Sequence, residues 1–281
     1  KLISKRVSTT LLFQTMVPIQ TFNADRLHVN VYATREEMGM AAATDAAVQI
    51  QALLNTKEFV NIIFAAAPSQ NEMLFHLAAN DEIDWSRVNA FHMDEYVGLN
   101  ENAPQRFGHF LEQAIFGKQT FNTVYYINGD AADPAAECSR YAALLEAHPV
   151  DMVCMGIGEN THLAFNDPHV ANFNDPFMVK LVALDEVSRM QQVHDGCFAS
   201  IDEVPQTAIT LTIPALLKAA SIVCVVPGIN KAMAVDHTIN ADISVLYPST
   251  ALRLHENARL YLDVNSASLM KHHPFFRATD T

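Results

Sequence analysis

Short apolar runs alternate with longer amphipathic stretches along most of the chain. His28–Ala33 (HVNVYA) predicts a strand, and Thr34-Arg35-Glu36-Glu37 follows as a helix start in which Thr34 caps the first turn and Glu37 reaches back. That helix should run to about Leu54. Phe59–Ala66 predicts a second strand, Asn71–Leu77 opens another helix, and Val88–Met93 predicts a strand ending at Asp94-Glu95-Tyr96. Pro104 suits the first turn of a helix over roughly 105–116. Val124–Ile127 predicts a strand, and Asp133-Pro134 the start of a helix to about Ala147. Val150–Gly156 is apolar on both faces, which predicts a fully buried strand. Thr207–Leu211, Ile222–Val226, Ile243–Leu246 and Arg259–Leu262 predict further strands, with helical segments between them. Strands separated by helices imply βαβ units. The expected fold is a single α/β domain over 28–281, its mostly parallel sheet flanked by helices on both faces in Rossmann-like fashion, preceded by an N-terminal arm over 1–27. No low-complexity linker or fixed-period repeat interrupts it.

With 281 residues, half of them apolar, the chain can bury a sizeable core without staples. Its 18 Lys+Arg against 31 Asp+Glu give a formal charge of −13, which argues against a broad nucleic-acid or anionic-membrane surface. An anionic small molecule is still allowed, because one or two local cations and a helix N-terminus suffice for a phosphate. Cys138, Cys154, Cys197 and Cys224 form no C-x-x-C motif, so a reducing, cytoplasmic setting is expected. The twelve histidines show no zinc-ligand spacing, and no metal site is expected. The apolar run after Lys1, Lys5 and Arg6 is broken by Gln14 and Pro18 and reads as a domain arm rather than a leader peptide. No segment approaches the roughly 20 apolar residues that cross a bilayer.

In such sheets ligands bind beyond the carboxyl ends of strands, so chemistry is sought just after each strand. Phe91-His92-Met93-Asp94-Glu95-Tyr96 sets two acids there. Like charge and partial burial raise a carboxyl pKa and would make one of them a base near neutrality; the plainer reading is a helix cap or surface turn. Gly156-Ile157-Gly158-Glu159-Asn160-Thr161-His162 follows the most hydrophobic strand. Its glycines permit close backbone approach, and Asp167 lies five residues beyond His162, a pairing that fixes a ring tautomer for proton shuttling; a satisfied structural histidine is the bland alternative. The G-x-G does not make a nicotinamide site, since Thr161 stands where a third glycine is needed and no clean helix follows. Lys231, one turn into a helix after Val225-Val226-Pro227-Gly228, can join free backbone N–H groups in holding a phosphate, although an exposed lysine is the commoner case. Ser69, in the Ala66–Gln70 loop, offers a hydroxyl and a helix cap. Other Met and Phe side chains read as core, and His272-His273 as a solvated tail.

Taken in order, from about residue 28 to 265, these segments resemble the glucosamine-6-phosphate deaminase/isomerase family, whose fold is shared with 6-phosphogluconolactonases. The most specific parts are Met93–Leu99 (MDEYVGL) with Pro104-Gln105, and Gly156–Pro168 (GIGENTHLAFNDP). The resemblance implies an aldose–ketose isomerase that opens a pyranose ring, moves a proton between C2 and C1, and releases ammonia to leave fructose 6-phosphate, with neither metal nor organic cofactor. By position it implies that Asp94 shuttles the proton, that His162 assists ring opening, and that Asp167, one methylene shorter than the usual glutamate, orients the imidazole. Lys231 and Ser69 would meet the phosphate. Asn160 stands where an aspartate is usual, and His194 falls nearest to a substrate-binding arginine. Ala66-Ala67-Pro68-Ser69 replaces a glycine-rich phosphate loop, and Pro68 has no N–H to give. Two other functions are weighed: hydrolysis of a 6-phosphosugar lactone, which the AFNDP run and the DEY context of Asp94 disfavour, and a sugar-phosphate-binding regulator without turnover, which Asn160 and the altered loop would suit. The expected partner is a small-molecule sugar phosphate, with no nucleic acid and no membrane; a homo-oligomer is left open.

Overall fold

Residues 16–272 are described by the computed structural model. Among them the strands are β1 (Gln20–Ala24), β2 (Leu27–Tyr32), β3 (Val60–Phe64), β4 (Val88–His92), β5 (Asp94–Tyr96), β6 (Thr123–Tyr125), β7 (Met152–Met155), β8 (Val179–Ala183), β9 (Thr207–Leu211), β10 (Ser221–Val226) and β11 (Ala258–Asp263). The helices are α1 (Arg35–Leu54), α2 (Asn71–Ala78), α3 (Phe107–Leu111), α4 (Pro134–Ala147), α5 (Glu186–His194), α6 (Ile213–Leu217) and α7 (Ala232–Asn240).

Strand residues divide by parity between two cores. Val60, Ile62 and Phe64 of β3 enter one core while Ile63 enters the other, and Met152 and Cys154 of β7 oppose Val153 and Met155 in the same way. Both faces are therefore apolar, as parallel strands covered on both sides require. Helices α1, α2 and α3 cover one face, and α4, α6 and α7 the other. Helix starts follow local chemistry: Thr34 Oγ1 accepts the Glu37 N–H at 3.1 Å, and Asp133 accepts those of Ala135 and Ala136.

The eight-stranded sheet has the order β1-β2-β11-β10-β7-β3-β4-β6, parallel except for the β1–β2 pair. The chain steps outward from β3 through β4 to β6, then returns to β7 and steps the other way through β10 to β11. This reversal opens a crevice beyond the carboxyl ends of β3 and β7. A second, antiparallel sheet is made of β5, β9 and β8, and through Asp94 its strand β5 reaches the crevice.

Several sequence expectations change here. Of the segment read as an arm, residues 20–24 form β1, hydrogen-bonded along the edge of the main sheet; residues 1–15 lie outside the described residues. Thr207–Leu211 is a strand, but of the second sheet rather than the parallel one. Ile243–Leu246 is no strand. It is a turn closed by Tyr247 N–H on the Ser244 carbonyl, and Thr250 Oγ1 takes the Ser244 N–H, so the backbone is satisfied without a ladder. The helix expected from Pro104 starts at Phe107 and ends in a π-turn over Glu112–Phe116. His272 closes the last described turn, and His273 lies outside the described residues. No helix among the described residues is long and apolar enough to cross a membrane.

Candidate active site

Asp94 and Glu95 are neighbours in β5, so the pleat turns their side chains to opposite sides. Glu95 is fully buried and caps α3: its carboxylate accepts the N–H groups of Phe107 at 3.1 Å and Gly108 at 3.0 Å. This capture sets the helix start three residues beyond Pro104. Asp94 instead lines the crevice, 7% exposed, and its carboxyl makes no hydrogen bond or ion pair among the described residues. Burial, with the charge of Glu95 behind it, raises that carboxyl well above the usual carboxylate range. The strand leading to it is held by His92, whose Nε2 accepts the Ile127 N–H at 2.8 Å, leaving Nδ1–H to donate to the Asp94 carbonyl at 2.9 Å. Burial pushes the His92 pKa down to about 4, so this ring is neutral and structural.

His162 faces Asp94's crevice from the loop after β7. Its Nδ1 lies 2.7 Å from Asn160 Oδ1, 2.8 Å from Ser188 Oγ and 3.2 Å from Asp167 Oδ1. Two of these are pure acceptors, so Nδ1 carries the hydrogen and Nε2 is left with a lone pair. Asp167 is fully buried. Burial opposes its charge, yet hydrogen bonds from His162, Ser188 and Asn160 outweigh that and hold its carboxyl well below the usual range. Asn160 bridges the pair: Oδ1 accepts from the ring and Nδ2 donates to Asp167 at 3.0 Å. The two glycines of the motif admit protein side chains rather than a cofactor. A Cβ on Gly158 would sit 2.1–2.3 Å from three atoms of the His162 ring, and one on Gly156 would sit 2.8 Å from Gln70 Nε2. Thr161 holds φ at +70°, a conformation costly to a β-branched residue, and its buried hydroxyl has no hydrogen bond among the described residues.

Lys231 ends the short turn Ile229–Lys231 just before α7, only 6% exposed, with no hydrogen bond or ion pair among the described residues. Burial lowers its pKa to about 8, against the pull of Asp195 and Glu159. A desolvated ammonium without a carboxylate partner is suited to meet an anion. Ser69 lines the same cleft but caps no helix; its hydroxyl accepts from Gln70 Nε2 at 3.1 Å. Asp94, His162, Lys231 and Ser69 line one cleft, open to solvent, of about 490 Å³.

A family model described as glucosamine-6-phosphate isomerases/6-phosphogluconolactonase matches residues 33–261. The chain belongs to that family. The glucosamine-6-phosphate deaminase of Listeria monocytogenes serotype 4a is 32% identical over 211 residues, 75% of this chain and 88% of the relative. A solved monomeric glucosamine-6-phosphate deaminase is 28% identical, with a TM-score of 0.78 over 86% of this chain and 99% of its own. The 6-phosphogluconolactonase of Thermotoga maritima, 16% identical, shares the fold at a TM-score of 0.68 over 84% and 99%.

In this member of the glucosamine-6-phosphate isomerase/6-phosphogluconolactonase family, the far wall of the cleft comes from α5, which the sequence reading left unassigned. Ser188, Gln191 and Gln192 share one face of that helix, at i, i+3 and i+4. Gln192 is 8% exposed, lines the cleft, and its amide has no hydrogen bond among the described residues. His194 is not among the lining residues. It stands at the end of α5, its side chain 49% exposed and its Nδ1 3.5 Å from Glu159. Arg189 is spent on the carbonyls of Ile201 and Val204, so Lys231 is the cation of the lining. Phe107 and Phe165, read as core, also face the cleft. Among the described residues no cluster of His, Cys, Asp and Glu is placed to hold a metal ion.

Proposed function

We propose that this chain converts glucosamine 6-phosphate to fructose 6-phosphate and ammonia. The observation that carries the reading is a buried, unpaired carboxyl (Asp94) sharing one cleft with an imidazole held as its Nδ1–H tautomer (His162) and a desolvated ammonium (Lys231). The names of the relatives at 32% and 28% identity support the same substrate.

Lys231, together with Ser69, takes the phosphate. Nε2 of His162 accepts the C1 hydroxyl proton and returns it to the ring oxygen as the C1–O5 bond breaks. Asp94, its basicity raised by burial, takes the proton from C2 while electrons collect on O1, then returns it to C1. As a proton passes from the amine to O1, C2 becomes an imine, which adds water and expels ammonia. Asn160 and Asp167 hold the imidazole in place throughout.

The direct test incubates the protein with glucosamine 6-phosphate and follows ammonia and fructose 6-phosphate; turnover of a 6-phosphosugar lactone instead would move the activity to hydrolysis. The pH dependence follows from Lys231. Its folded pKa is lowered to about 8, so its charge is present below that pH and lost above it. The expected result is a fall in kcat/KM as pH rises through about 8, carried by KM. In Lys231→Met that limb disappears and kcat/KM drops about 10- to 100-fold, the value of one charge-assisted hydrogen bond. An alkaline limb unchanged in Lys231→Met would assign it to another group.

A further inference from the structure

The support of His162 contains a hydroxyl that neither the motif nor the reaction scheme requires. Ser188 is fully buried in the first turn of α5. Its Oγ is hydrogen-bonded to Asp167 Oδ1 and lies 2.8 Å from His162 Nδ1. Asp167 only accepts, so the hydroxyl hydrogen points to it and the oxygen's lone pairs face the ring. The other acceptor at Nδ1, Asn160 Oδ1, belongs to a neutral amide whose Nδ2 is itself directed at Asp167. Asp167 Oδ1 itself lies 3.2 Å from Nδ1, and the serine oxygen, polarised by that carboxylate, gives its charge a second and shorter contact with the ring.

We infer that Ser188 is a positioning residue: its hydroxyl couples the Asp167 carboxylate to His162 and stabilises the imidazolium formed when Nε2 takes a proton. No proton passes through Ser188; Nδ1 keeps its hydrogen, and the proton taken at Nε2 leaves from Nε2. Placed on α5, the same helix that presents Gln192, Ser188 also ties the ring to the substrate wall. The charged groups around His162 are few. Asp167 faces it from its own loop, and Asp94 and Lys231 lie across the cleft. Asp185 reaches this cluster by its backbone N–H, which donates to Asp167, and Glu159 is directed at His194.

This inference rests on the proposed function only for its kinetic arm. Nuclear magnetic resonance titration of the imidazoles in the full chain reads His162 without substrate. In Ser188→Ala the titration midpoint of His162 is expected to fall by about one pH unit, the tenfold loss of proton affinity that one hydrogen bond of ordinary net strength represents. Turnover of glucosamine 6-phosphate should fall about tenfold in kcat with KM nearly unchanged. Ser188→Thr, which keeps the hydroxyl, should retain the wild-type midpoint and serves if the alanine variant folds poorly. In an Asp167→Asn background the Ser188→Ala shift should be clearly smaller, because the serine oxygen there still accepts from Nδ1–H but has no carboxylate charge to relay. A folded Ser188→Ala with an unmoved midpoint, or an equal shift in both backgrounds, overturns the coupling. Wild-type protein that leaves glucosamine 6-phosphate unchanged would overturn the proposed function while the titration still decides the role of Ser188.

Discussion

Asp94→Asn turns over glucosamine 6-phosphate about 10²- to 10⁴-fold more slowly than the wild type, the range that a positioned general base contributes, while its dissociation constant for the sugar phosphate stays within a few-fold. The separation follows from geometry. The Asp94 carboxyl makes no hydrogen bond or ion pair among the described residues that its loss would break, and in the proposed scheme the phosphate is held by Lys231 and Ser69. The same change makes the protein more stable at neutral and alkaline pH. Burial raises the folded-state pKa of Asp94 above its ordinary value of 3.8, so between that value and the raised one the folded state holds a proton that the unfolded state has released. Stability is lost as pH climbs through that window. Asparagine has no proton to lose. The Tm of Asp94→Asn should exceed that of the wild type at pH 8 and match it near pH 4, and kcat/KM of the wild type should show an acid limb well above the usual carboxylate range. A variant that loses substrate binding along with turnover would make Asp94 a ligand-holding group rather than a base.

Gly158→Ala is expected to cost about 10²-fold in kcat/KM, through one methyl group that touches no substrate. Its Cβ would lie 2.1 Å from His162 Cε1 and 2.2 Å from Nε2, far inside contact distance. The ring cannot yield in place because Nδ1 is fixed by Asn160, Ser188 and Asp167, so it must break from them. Asp167 then loses one of the donors that hold its buried charge, a loss of roughly 1–3 kcal/mol. The checks are kinetics with glucosamine 6-phosphate, the melting temperature, and the imidazole resonances. An alanine variant with wild-type rate and unshifted His162 signals would mean that the loop relaxes and that the ring's position is not built by this glycine.

Much of this site could be read from the chain because its residues directly follow apolar strands. Asp94 comes after β4, the Asn160–Asp167 loop after β7, and Lys231 after β10. What escaped the sequence lies in contacts between distant segments. The two acids of DEY look equivalent until β5 pairs with β9 and the start of α3, twelve residues on, claims Glu95. Strands β1, β5 and β8 lie at sheet edges, where a short, mixed pattern carries little signal. The wall formed by α5 was missed for two reasons. Neutral amides and a serine carry no motif, and helix register is unforgiving: each residue turns the helix by about 100°, so His194, two beyond Gln192, lies about 200° around from it. The position nearest the expected arginine therefore turns away from the face that lines the cleft. Ser69 kept its place in the cleft but not the cap expected of it, since the backbone there turns before α2 begins.

The central claim is that one cleft performs a carbon-to-carbon proton transfer with Asp94 as the base. Glucosamine 6-phosphate carrying deuterium at C2 tests it in a single experiment, run with wild-type and Asp94→Asn protein. The account predicts that the wild type releases ammonia, expels the label from C2 into C1 of fructose 6-phosphate or into water, and works several-fold more slowly than on the protiated sugar, while the asparagine variant binds the sugar and leaves the label where it was. Label retained by the wild type, or expelled equally fast by both proteins, would contradict it.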